Sequence, residues 1–374
     1  MRMKDGYKHL GEYIRQVDIR NTDGKKENLL GVSVQKQFIP SIANTVGTDF
    51  TKYKVVKKGQ FTYIPDTSRR GDKIGIALLK DYEEGLVSNV YNVFEVVDTE
   101  KLLPEYLMLW FSRPEFDRYA RYKSHGSVRE IFDWNEMCMV ELPVPAIEEQ
   151  RKIVKAYKAI TDRIALKKRI NDNLEAQLTT LFKEKILDND ELAVVEPLDL
   201  NIDFINGLAM QNFRPEENEE FLPVIKIREL SQGYCDNNSE FCTNKIDKSH
   251  IINKGDLVFS WSGSLQVAFW TSDRAGLNQH LFKVVSATYP QWYVYLWVRH
   301  HLLNFQRIAE NKGTTFGHIK REDLHSAMIK TVDEYTIASL NKVFSPILSA
   351  YLKNAAEVHR LADVQKVLLA RLSR

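Results

Sequence analysis

The stretch PAIEEQRKIVKAYKAITDRIALKKRINDNLEAQLTTLFKEKIL, residues 145–187, predicts a long amphipathic helix. Pro143 and Pro145 lie at or before its start, and Glu148 and Glu149 lie in its first turn, as is typical of a helix N-terminus. At ~1.5 Å per residue, such a helix is roughly 60 Å long. A single helix with an apolar stripe must bury that stripe against a partner.

Apolar residues recur along this helix at coiled-coil spacing and form two seams. The first seam contains Ile153, Ile160, Lys167, Leu174 and Leu181, and the second contains Tyr157, Ile164, Asn171, Leu178 and Lys185. Polar seam residues such as Asn171 are expected to set the register of the paired helices at some cost in stability.

The same plan occurs twice, at a constant distance along the chain. Tyr106 corresponds to Tyr293 and Gly126 to Gly313, each pair being 187 residues apart (293 − 106 and 313 − 126). The same shift generates a second long helix, predicted over about 334–372. Its seam residues are Leu340, Phe344, Ile347, Tyr351, Asn354, Val358, Leu361 and Leu368. We interpret the chain as one structural unit written twice.

The second helix matches the first less closely at its start. Tyr335 and Thr336 stand where the first helix has its two glutamates, and Pro346 predicts a kink or a short preceding helix. If the two helices run antiparallel, Asn171 and Asn354 are expected near the same layer, where they would fix helix register and orientation.

The predicted fold is α+β, with two similar mixed α/β domains and two long helices that form an antiparallel coiled coil with an internal pseudo-two-fold repeat. Short β-rich runs are followed in each copy by an apolar helical pattern. The expected boundaries are 1–143 for the first domain, 144–190 for the first helix, 191–332 for the second domain and 333–374 for the second helix.

Composition favours a globular protein of two or more domains. With 44% hydrophobic and 27% charged residues, neither a membrane span nor a signal peptide is expected. Cys138, Cys235 and Cys242 are scattered without zinc-site spacing, so a reducing cytoplasm is the expected compartment. A net charge of +2 does not by itself indicate nucleic-acid binding.

The predicted architecture suits duplex DNA as a target. Two similar domains on an antiparallel helix pair would be related by approximate two-fold rotation, as are two half-sites on a duplex. A rod of roughly 60 Å would limit the half-site separation to less than about 17 base pairs. Since the loops of the two copies differ, two different half-sites are expected.

The chain resembles the specificity (S) subunits of type I restriction–modification systems over essentially its whole length. ELPVPAIEEQRKIV at 141–154, the two matching helices and FINGLAMQNFRP…LPVIKIREL at 204–230 carry the resemblance. It implies two target recognition domains that each read one half of an asymmetric bipartite duplex target. It also implies that the helical pair sets the spacing between the half-sites and docks two methyltransferase (modification) subunits.

The resemblance further implies that the chemistry belongs to partner subunits. With restriction subunits added, the implied complex is an adenine-N6 DNA methyltransferase and an ATP-dependent endonuclease. Its cofactors, S-adenosylmethionine, ATP and Mg, would be bound by the partners and none by this chain.

Catalytic signatures are missing from the sequence, which contains no NPPF or DPPY motif and no GxxxxGK[ST] phosphate loop. The predicted function is therefore non-catalytic DNA recognition. The alternatives are a fused restriction or modification enzyme and a coiled-coil adaptor that binds only proteins. A gel shift identifies the adaptor, which would bind no duplex.

Basic residues cluster in the first domain between positions 52 and 73. Lysine and arginine neutralise phosphates, and arginine also binds a guanine edge through two hydrogen bonds. The candidate DNA-binding residues of this domain are Lys36, Lys58, Arg69, Arg70 and Lys73. For Lys58, the alternative is that it solvates a turn before a strand.

A Gly-containing loop occupies the same place in both copies, at 123–129 and 312–318. Glycine lets a backbone approach a phosphate or base closely, and Ser or Thr can bond to either. The candidates in and near these loops are Lys123, Ser127, Arg129, Lys312, Thr314, Thr315 and Lys320. The alternative is an ordinary loop whose glycine serves only a turn.

Two further polar stretches of the second domain are candidates for base recognition. Gln and Asn side chains match the adenine edge, and loops on a rigid sheet carry readout groups. The candidate residues are Gln211, Asn212, Arg214, Ser262, Ser264 and Gln266. The tryptophans Trp110, Trp261, Trp270 and Trp297 are interpreted as core residues.

Overall fold

The computed structural model describes residues 6–42, 46–67, 73–125, 130–192, 194–311 and 317–373. The chain forms two compact units, the first from 1–162 and 363–374 and the second from 163–362. Strands and helices occur in both units, which confirms the predicted α+β fold class. Both long helices cross the boundary between the units, so each helix contributes residues to both.

The first unit is built from short antiparallel strands and helices. Its strands are β1 (Tyr7–His9), β2 (Ile14–Val17), β3 (Ile19–Arg20), β4 (Leu30–Val32), β5 (Phe38–Pro40), β6 (Lys54–Lys57), β7 (Phe61–Tyr63), β8 (Ile76–Leu78), β9 (Glu84–Val87), β10 (Asn92–Val96) and β11 (Glu141–Pro143). Its helices are α1 (Pro104–Phe111), α2 (Pro114–Lys123), α3 (Trp134–Cys138) and the first part of α4 (Ile147–Phe182). The largest sheet has the order β2-β10-β7-β8, and the others are β3-β6-β9, β4-β5 and β1-β11.

The second unit repeats this plan with larger additions. Its strands are β12 (Val195–Pro197), β13 (Asp203–Asn206), β14 (Phe221–Ile225), β15 (Phe241–Thr243), β16 (Ile251–Ile252), β17 (Leu257–Ser260), β18 (Val267–Phe269), β19 (Ala275–Leu277), β20 (Leu281–Val285) and β21 (Met328–Lys330). Its helices are α5 (Ile227–Gln232), α6 (Gln291–Asn311), α7 (Arg321–His325), most of α8 (Glu334–Arg371) and the last part of α4. The sheets are β13-β20-β17-β18, β15-β14-β19-β16 and β12-β21, with β14 and β19 parallel.

The repeat is visible in hydrogen bonds as well as in element order. The Tyr106 hydroxyl donates to the carbonyl oxygen of Pro143 at 3.1 Å, and the Tyr293 hydroxyl donates to that of Lys330, 187 residues further along in both partners. A large difference between the two copies follows from Pro114. Because proline cannot continue a helix but fits its first turn, α2 starts at Pro114 and α1 ends before it, whereas α6 is continuous.

Aromatic residues on facing sides of sheet and helix fill the core of each unit. In the first unit, Phe61 and Phe94 stack with ring centroids 4.9 Å apart, and Phe111 of α1 meets Phe61 edge-on at 5.7 Å. In the second unit, Trp292 of α6 stacks on Phe344 of α8 at 4.1 Å. Each long helix is therefore anchored in a globular core and is not a free-standing rod.

Within the second unit, α4 and α8 run antiparallel and meet through polar side chains in their seam. Lys167 Nζ donates to Asn354 Oδ1 at 2.7 Å and forms an ion pair with Glu357 at 3.0 Å. Asn171 Nδ2 donates to the backbone oxygen of Tyr351 at 3.1 Å. Asn171 and Asn354 thus lie within about one helical turn of each other, but each has a different partner and they do not pair directly.

Within the first unit, the start of α4 meets the end of α8, where Gln365 Nε2 donates to Thr161 Oγ1 at 2.7 Å. All the apolar residues predicted for the two seams are buried or half-buried. Helix α8 continues from Glu334 through Pro346 to Arg371, so the alternative of a short separate helix before the proline is wrong.

Replacing Asn171 with leucine should stabilise the helix pair. Asn171 Oδ1 is buried and has no hydrogen-bond partner among the described residues, and an unsatisfied buried acceptor costs about 1–3 kcal/mol. We expect the free energy of unfolding to rise by about 1 kcal/mol, measured by urea denaturation. Asn173→Leu, at an exposed position of the same helix, is the control and should change stability little. A lower free energy of unfolding in Asn171→Leu would contradict the inference that the buried amide of Asn171 destabilises the helix pair.

The described part of the chain contains neither a membrane-spanning helix nor a metal-binding cluster. None of its helices combines the length and apolar character needed to cross a bilayer. Its His, Cys, Asp and Glu side chains form no group of three placed to hold a metal ion, and Cys138, Cys235 and Cys242 are free thiols.

Candidate nucleic-acid interface

A rigid polar turn lies between β19 and β20 of the second unit, formed by Asn278, Gln279 and His280. The backbone of this 278–280 turn is held from three directions. Asn278 N donates to the oxygen of Ile225 at 3.1 Å, and Gln279 N donates to that of Leu208 at 2.8 Å. The Gln279 oxygen in turn accepts from the indole nitrogen of Trp261 at 3.1 Å.

A close backbone approach at Gly207 completes the support of this turn. A Cβ atom at position 207 would lie 2.2 Å from the oxygen of Asn278 and 2.4 Å from that of Leu277. Only glycine fits there without displacing the backbone. Glycine at position 207 therefore allows the turn to pack against the end of β13.

The side chains of the turn reach the surface while its backbone is fixed. His280 is exposed and Gln279 is half-buried. His280 Nδ1 lies 2.9 Å from Ser262 Oγ, and its Nε2 lies 3.4 Å from Gln279 Nε2. Ser262 is buried and pairs through its backbone with His318, so the imidazole is held at one nitrogen by a fixed group. Such an arrangement presents amide and imidazole groups with little freedom to reorient.

Trp261 forms one wall beside the turn. Its ring centroid is 5.9 Å from that of His280, 5.8 Å from that of Phe282 and 6.4 Å from that of His318. The side chain is half-buried, whereas Trp110, Trp270 and Trp297 are buried as the core interpretation requires. Trp261 is thus only partly a core residue, because one part of it faces the polar turn.

The first unit has a matching turn at 88–90 between β9 and β10. Tyr91 N donates to the oxygen of Ser88 at 3.1 Å, as Leu281 N does to that of Asn278 at 3.0 Å. The flanking bridges also match, since Asp66 pairs with Ile131 where Ser262 pairs with His318. Both units therefore contain the turn and the two bridged segments beside it, and the side chains on them differ.

A second surface of the first unit is basic and includes an exposed aromatic ring. Lys73 lies beside the outer face of α2, where Arg118, Arg121 and Tyr122 line a common depression. Tyr122 is 82% exposed. Arg118 forms an ion pair with Glu115 at 3.2 Å, and Arg121 forms one with Glu130. Exposed cations beside an aromatic ring are typical of surfaces that bind nucleic-acid backbone and stacked bases.

Several predicted residues are accessible in the structure. Lys58 is exposed and pairs with Glu83 at 2.6 Å, and Lys123 pairs with Glu136 at 3.3 Å. Arg214 is about half-exposed and pairs with Glu240 at 3.2 Å. The others with exposed side chains are Lys73, Gln211, Asn212, Ser264 and Lys320.

Electrostatics at Arg214 involves a shared carboxylate. Lys226 Nζ lies 2.5 Å from the other oxygen of Glu240, and this hydrogen bond is the largest cause holding the pKa of Glu240 below its ordinary value. Two cations thus share one anion, and the group carries a net positive charge available to a phosphate.

Three predicted DNA contacts already have partners within the protein. The side chain of Lys36 is only 8% exposed, and its ammonium group lies 2.7 Å from Asp117, which compensates its charge. The hydroxyl of Ser262 is occupied by His280. The amide of Gln266 donates to the Ile227 oxygen at 3.1 Å and to Ser231 Oγ at 2.6 Å, which ties the residue before β18 to α5.

The remaining predicted residues lie outside the described part of the chain. They are Arg69, Arg70, Ser127, Arg129, Lys312, Thr314 and Thr315.

Sequence reasoning missed Gln279 and His280 on the 278–280 turn and Arg118, Arg121 and Tyr122 on α2. A polar Asn-Gln-His triplet between two apolar runs was the available signal for the first group. The second group has the sequence pattern of an ordinary solvated helix face. Its distinguishing feature is the position of Lys73 beside it, which the sequence does not reveal.

Comparison with known proteins gives a consistent result. Residues 11–176 match the family described as type I restriction modification DNA specificity domain. The MjaIX type I restriction enzyme specificity subunit of Methanocaldococcus jannaschii is 22% identical over 303 residues, covering 74% of this chain and 70% of the relative. The HindI specificity subunit of Haemophilus influenzae is 27% identical over 139 residues, covering 37% and 30% respectively.

A solved structure shares the fold across the whole chain. The S subunit of a type I restriction–modification system from M. genitalium superposes with a TM-score of 0.59 at 11% identity, covering 100% of this chain and 98% of that one. The resemblance seen in the sequence is confirmed.

Proposed function

We infer, from the match to the type I restriction modification DNA specificity domain and from the related specificity subunits, that this chain is the DNA-recognition subunit of such a system. Each unit reads one half of an asymmetric bipartite duplex target. The chain recognises DNA, and partner subunits perform the chemistry.

One observation supports the proposal independently of these similarities. Both units support a turn at the same place, with the same flanking bridge, yet one turn contains Ser-Asn-Val and the other Asn-Gln-His. A scaffold repeated with different polar groups at one position is suited to reading two different base sequences. Core packing alone does not require exposed polar side chains to differ at that position.

The partners follow from the same proposal. Two methyltransferase subunits dock on the long helices and neighbouring surfaces, and restriction subunits complete the nuclease form. S-adenosylmethionine, ATP and Mg are bound by those partners. The complex would then be an adenine-N6 methyltransferase and an ATP-dependent endonuclease.

A domain exchange tests the two-reader proposal. We would replace residues 1–143 with the matching domain of another specificity subunit and determine the methylated motif by single-molecule sequencing of genomic DNA. One half of the bipartite motif should change and the other should persist. Change of the whole motif, or of neither half, would contradict two independent readers.

A gel shift distinguishes this function from a protein-only adaptor. The complex with methyltransferase subunits should bind duplex DNA, and its affinity should fall steeply with salt because phosphate contacts release counterions. An adaptor would bind no duplex under the same conditions.

Lengthening both long helices should change the gap in the target. We propose that helix length sets the spacing, since α4 and α8 each contribute residues to both units. Seven residues inserted after Asp162 and seven after Ala362 add ~10.5 Å of helix, or about three base pairs. Methylome sequencing should show unchanged half-sites around a longer gap. Insertion in α4 alone is the control, and it should disrupt helix pairing. An unaltered gap in the double insertion would rule out the spacing role.

A further inference from the structure

The first unit contains a pocket whose floor is a buried arginine. Trp110, Phe116, Tyr119 and Met139 line it beside Arg113, and the volume of this open pocket is about 510 Å³. That volume lies within the range of small-ligand sites in proteins. Of the candidate DNA contacts described above, Lys123 also lines this pocket.

Arg113 is held firmly but its charge is poorly satisfied. Its side chain is only 5% exposed, and its guanidinium carbon lies 4.1 Å from the centroid of the Trp110 ring. Its one ion pair within the described residues is to Glu115 at 3.5 Å, a long contact to a carboxylate that is 49% exposed. Arg113 Nε is buried and has no hydrogen-bond partner among those residues.

A buried guanidinium in this state favours an anion. Burial is the main cause of a lowered pKa for Arg113, which reports the cost of keeping the charge out of water. A carboxylate can bind arginine through two parallel hydrogen bonds, and the aromatic walls suit an apolar body attached to it. Glu115 competes for the guanidinium, and Glu141 adds a second carboxylate to the pocket lining.

The repeat provides an internal comparison. The position equivalent to Arg113 in the second unit is His300, and that equivalent to Phe116 is Leu303 (300 − 113 = 187; 303 − 116 = 187). The tryptophan is retained as Trp297. Because the scaffold does not require an arginine at this position, the cation in the first unit needs an explanation other than folding.

We propose that this pocket binds a carboxylate carried on an aromatic or aliphatic body, with Arg113 as its anion-binding group. The carboxylate belongs either to a free small molecule or to an acidic side chain of a partner protein. Both sources present the same chemistry to Arg113, and the experiment below separates them.

The test is titration calorimetry on the full-length chain with three probes. Indole-3-acetate presents a free carboxylate, indole-3-acetamide is its neutral match, and N-acetyl-Phe-Asp-amide presents a side-chain carboxylate without a free terminus. At least one carboxylate probe should bind about 10-fold more tightly than the amide. Binding of indole-3-acetate identifies a small-molecule source, and preference for the peptide identifies a protein source. Failure of both carboxylates, or equal binding of the amide, would overturn the proposal.

Three variants assign the effect to Arg113. Arg113→Met should weaken the carboxylate about 10-fold or more, and Glu115→Gln should tighten it because the competing anion is removed. Arg118→Gln is the matched control, since Arg118 also pairs with Glu115 but does not line this pocket. If Arg113→Met fails to fold, the carboxylate affinity of Glu115→Gln still tests the proposal. No tightening in that variant, or an equal loss in Arg118→Gln and Arg113→Met, would refute the assignment.

Discussion

Replacing Asp117 with alanine should destabilise the first unit by about 3–5 kcal/mol, because removal of one member of a buried ion pair leaves the other charge uncompensated. Lys36 Nζ lies 2.7 Å from Asp117 Oδ1 and 2.5 Å from the oxygen of Phe111, and both charged side chains are nearly inaccessible. Asp117 also accepts a hydrogen bond from Ile74 N at 3.1 Å. A thermal melt should show a decrease of roughly 10 °C.

The penalty in Asp117→Ala should shrink as the pH rises toward 10. Burial is the main cause that lowers the pKa of Lys36 in the folded protein, and Asp117 opposes it, so loss of Asp117 lowers that pKa further. Between the lowered folded value and the ordinary value of 10.5, the unfolded chain binds more protons than the folded one. Stability therefore increases with pH through that window. Urea titrations at pH 7 and pH 9.5 measure the difference.

Two further variants define the origin of the effect. Lys36→Met combined with Asp117→Leu removes both charges and should recover most of the loss, since an apolar pair of similar size can replace a buried ion pair. Lys58→Met breaks the exposed pair with Glu83 and should cost less than about 1 kcal/mol. A loss in Lys58→Met as large as that in Asp117→Ala would argue against burial as the cause.

Replacing Gln279 and His280 together with alanine should reduce affinity for the cognate duplex about 10- to 100-fold, the value of one or two base contacts. The loss should be specific to one half of the target, because the proposal assigns these side chains to the second reader. Binding competition with duplexes altered in either half measures this. Salt dependence should change little, since no phosphate contact is removed.

Matched variants separate base recognition from general damage. His325→Ala removes another exposed histidine of the second unit, one that pairs with Asp199 at 2.9 Å, and should leave binding unchanged. Asn89→Ala, on the matching turn of the first unit, should affect the other half of the target. If Gln279 and His280 could be removed without any change in preference, the 278–280 turn would not be a reader.

The sequence was sufficient to predict the repeat and both long helices. Offsets of 187 connect Tyr106 to Tyr293 and Lys167 to Asn354, because the helical spacing from α1 onward tolerates no insertions. The offset is lost among the strands, where Phe61 matches Leu257 (257 − 61 = 196). Loops between strands vary in length at little energetic cost, so sequence alone could not align the two turns.

Individual DNA contacts were harder to predict, for a different reason. Lys36 has the sequence character of a surface lysine, and its burial depends on Asp117, 81 residues away. The role of Gln266 likewise depends on where α5 packs. Such roles arise from long-range pairing, which local composition does not encode.

The contact between Lys167 and Asn354 joins two positions that descend from the same site in the repeat, since 354 − 167 = 187. If each half were paired with a copy of itself, this layer would hold either two ammonium groups or two amides. A chain that contains both halves can place unlike groups there, and Glu357 then compensates the single ammonium. The helix pair consequently has a polar layer to which α4 contributes a charged side chain and α8 a neutral amide. A partner that docks at this layer meets two chemically distinct sides, even though the surrounding backbone plan is repeated.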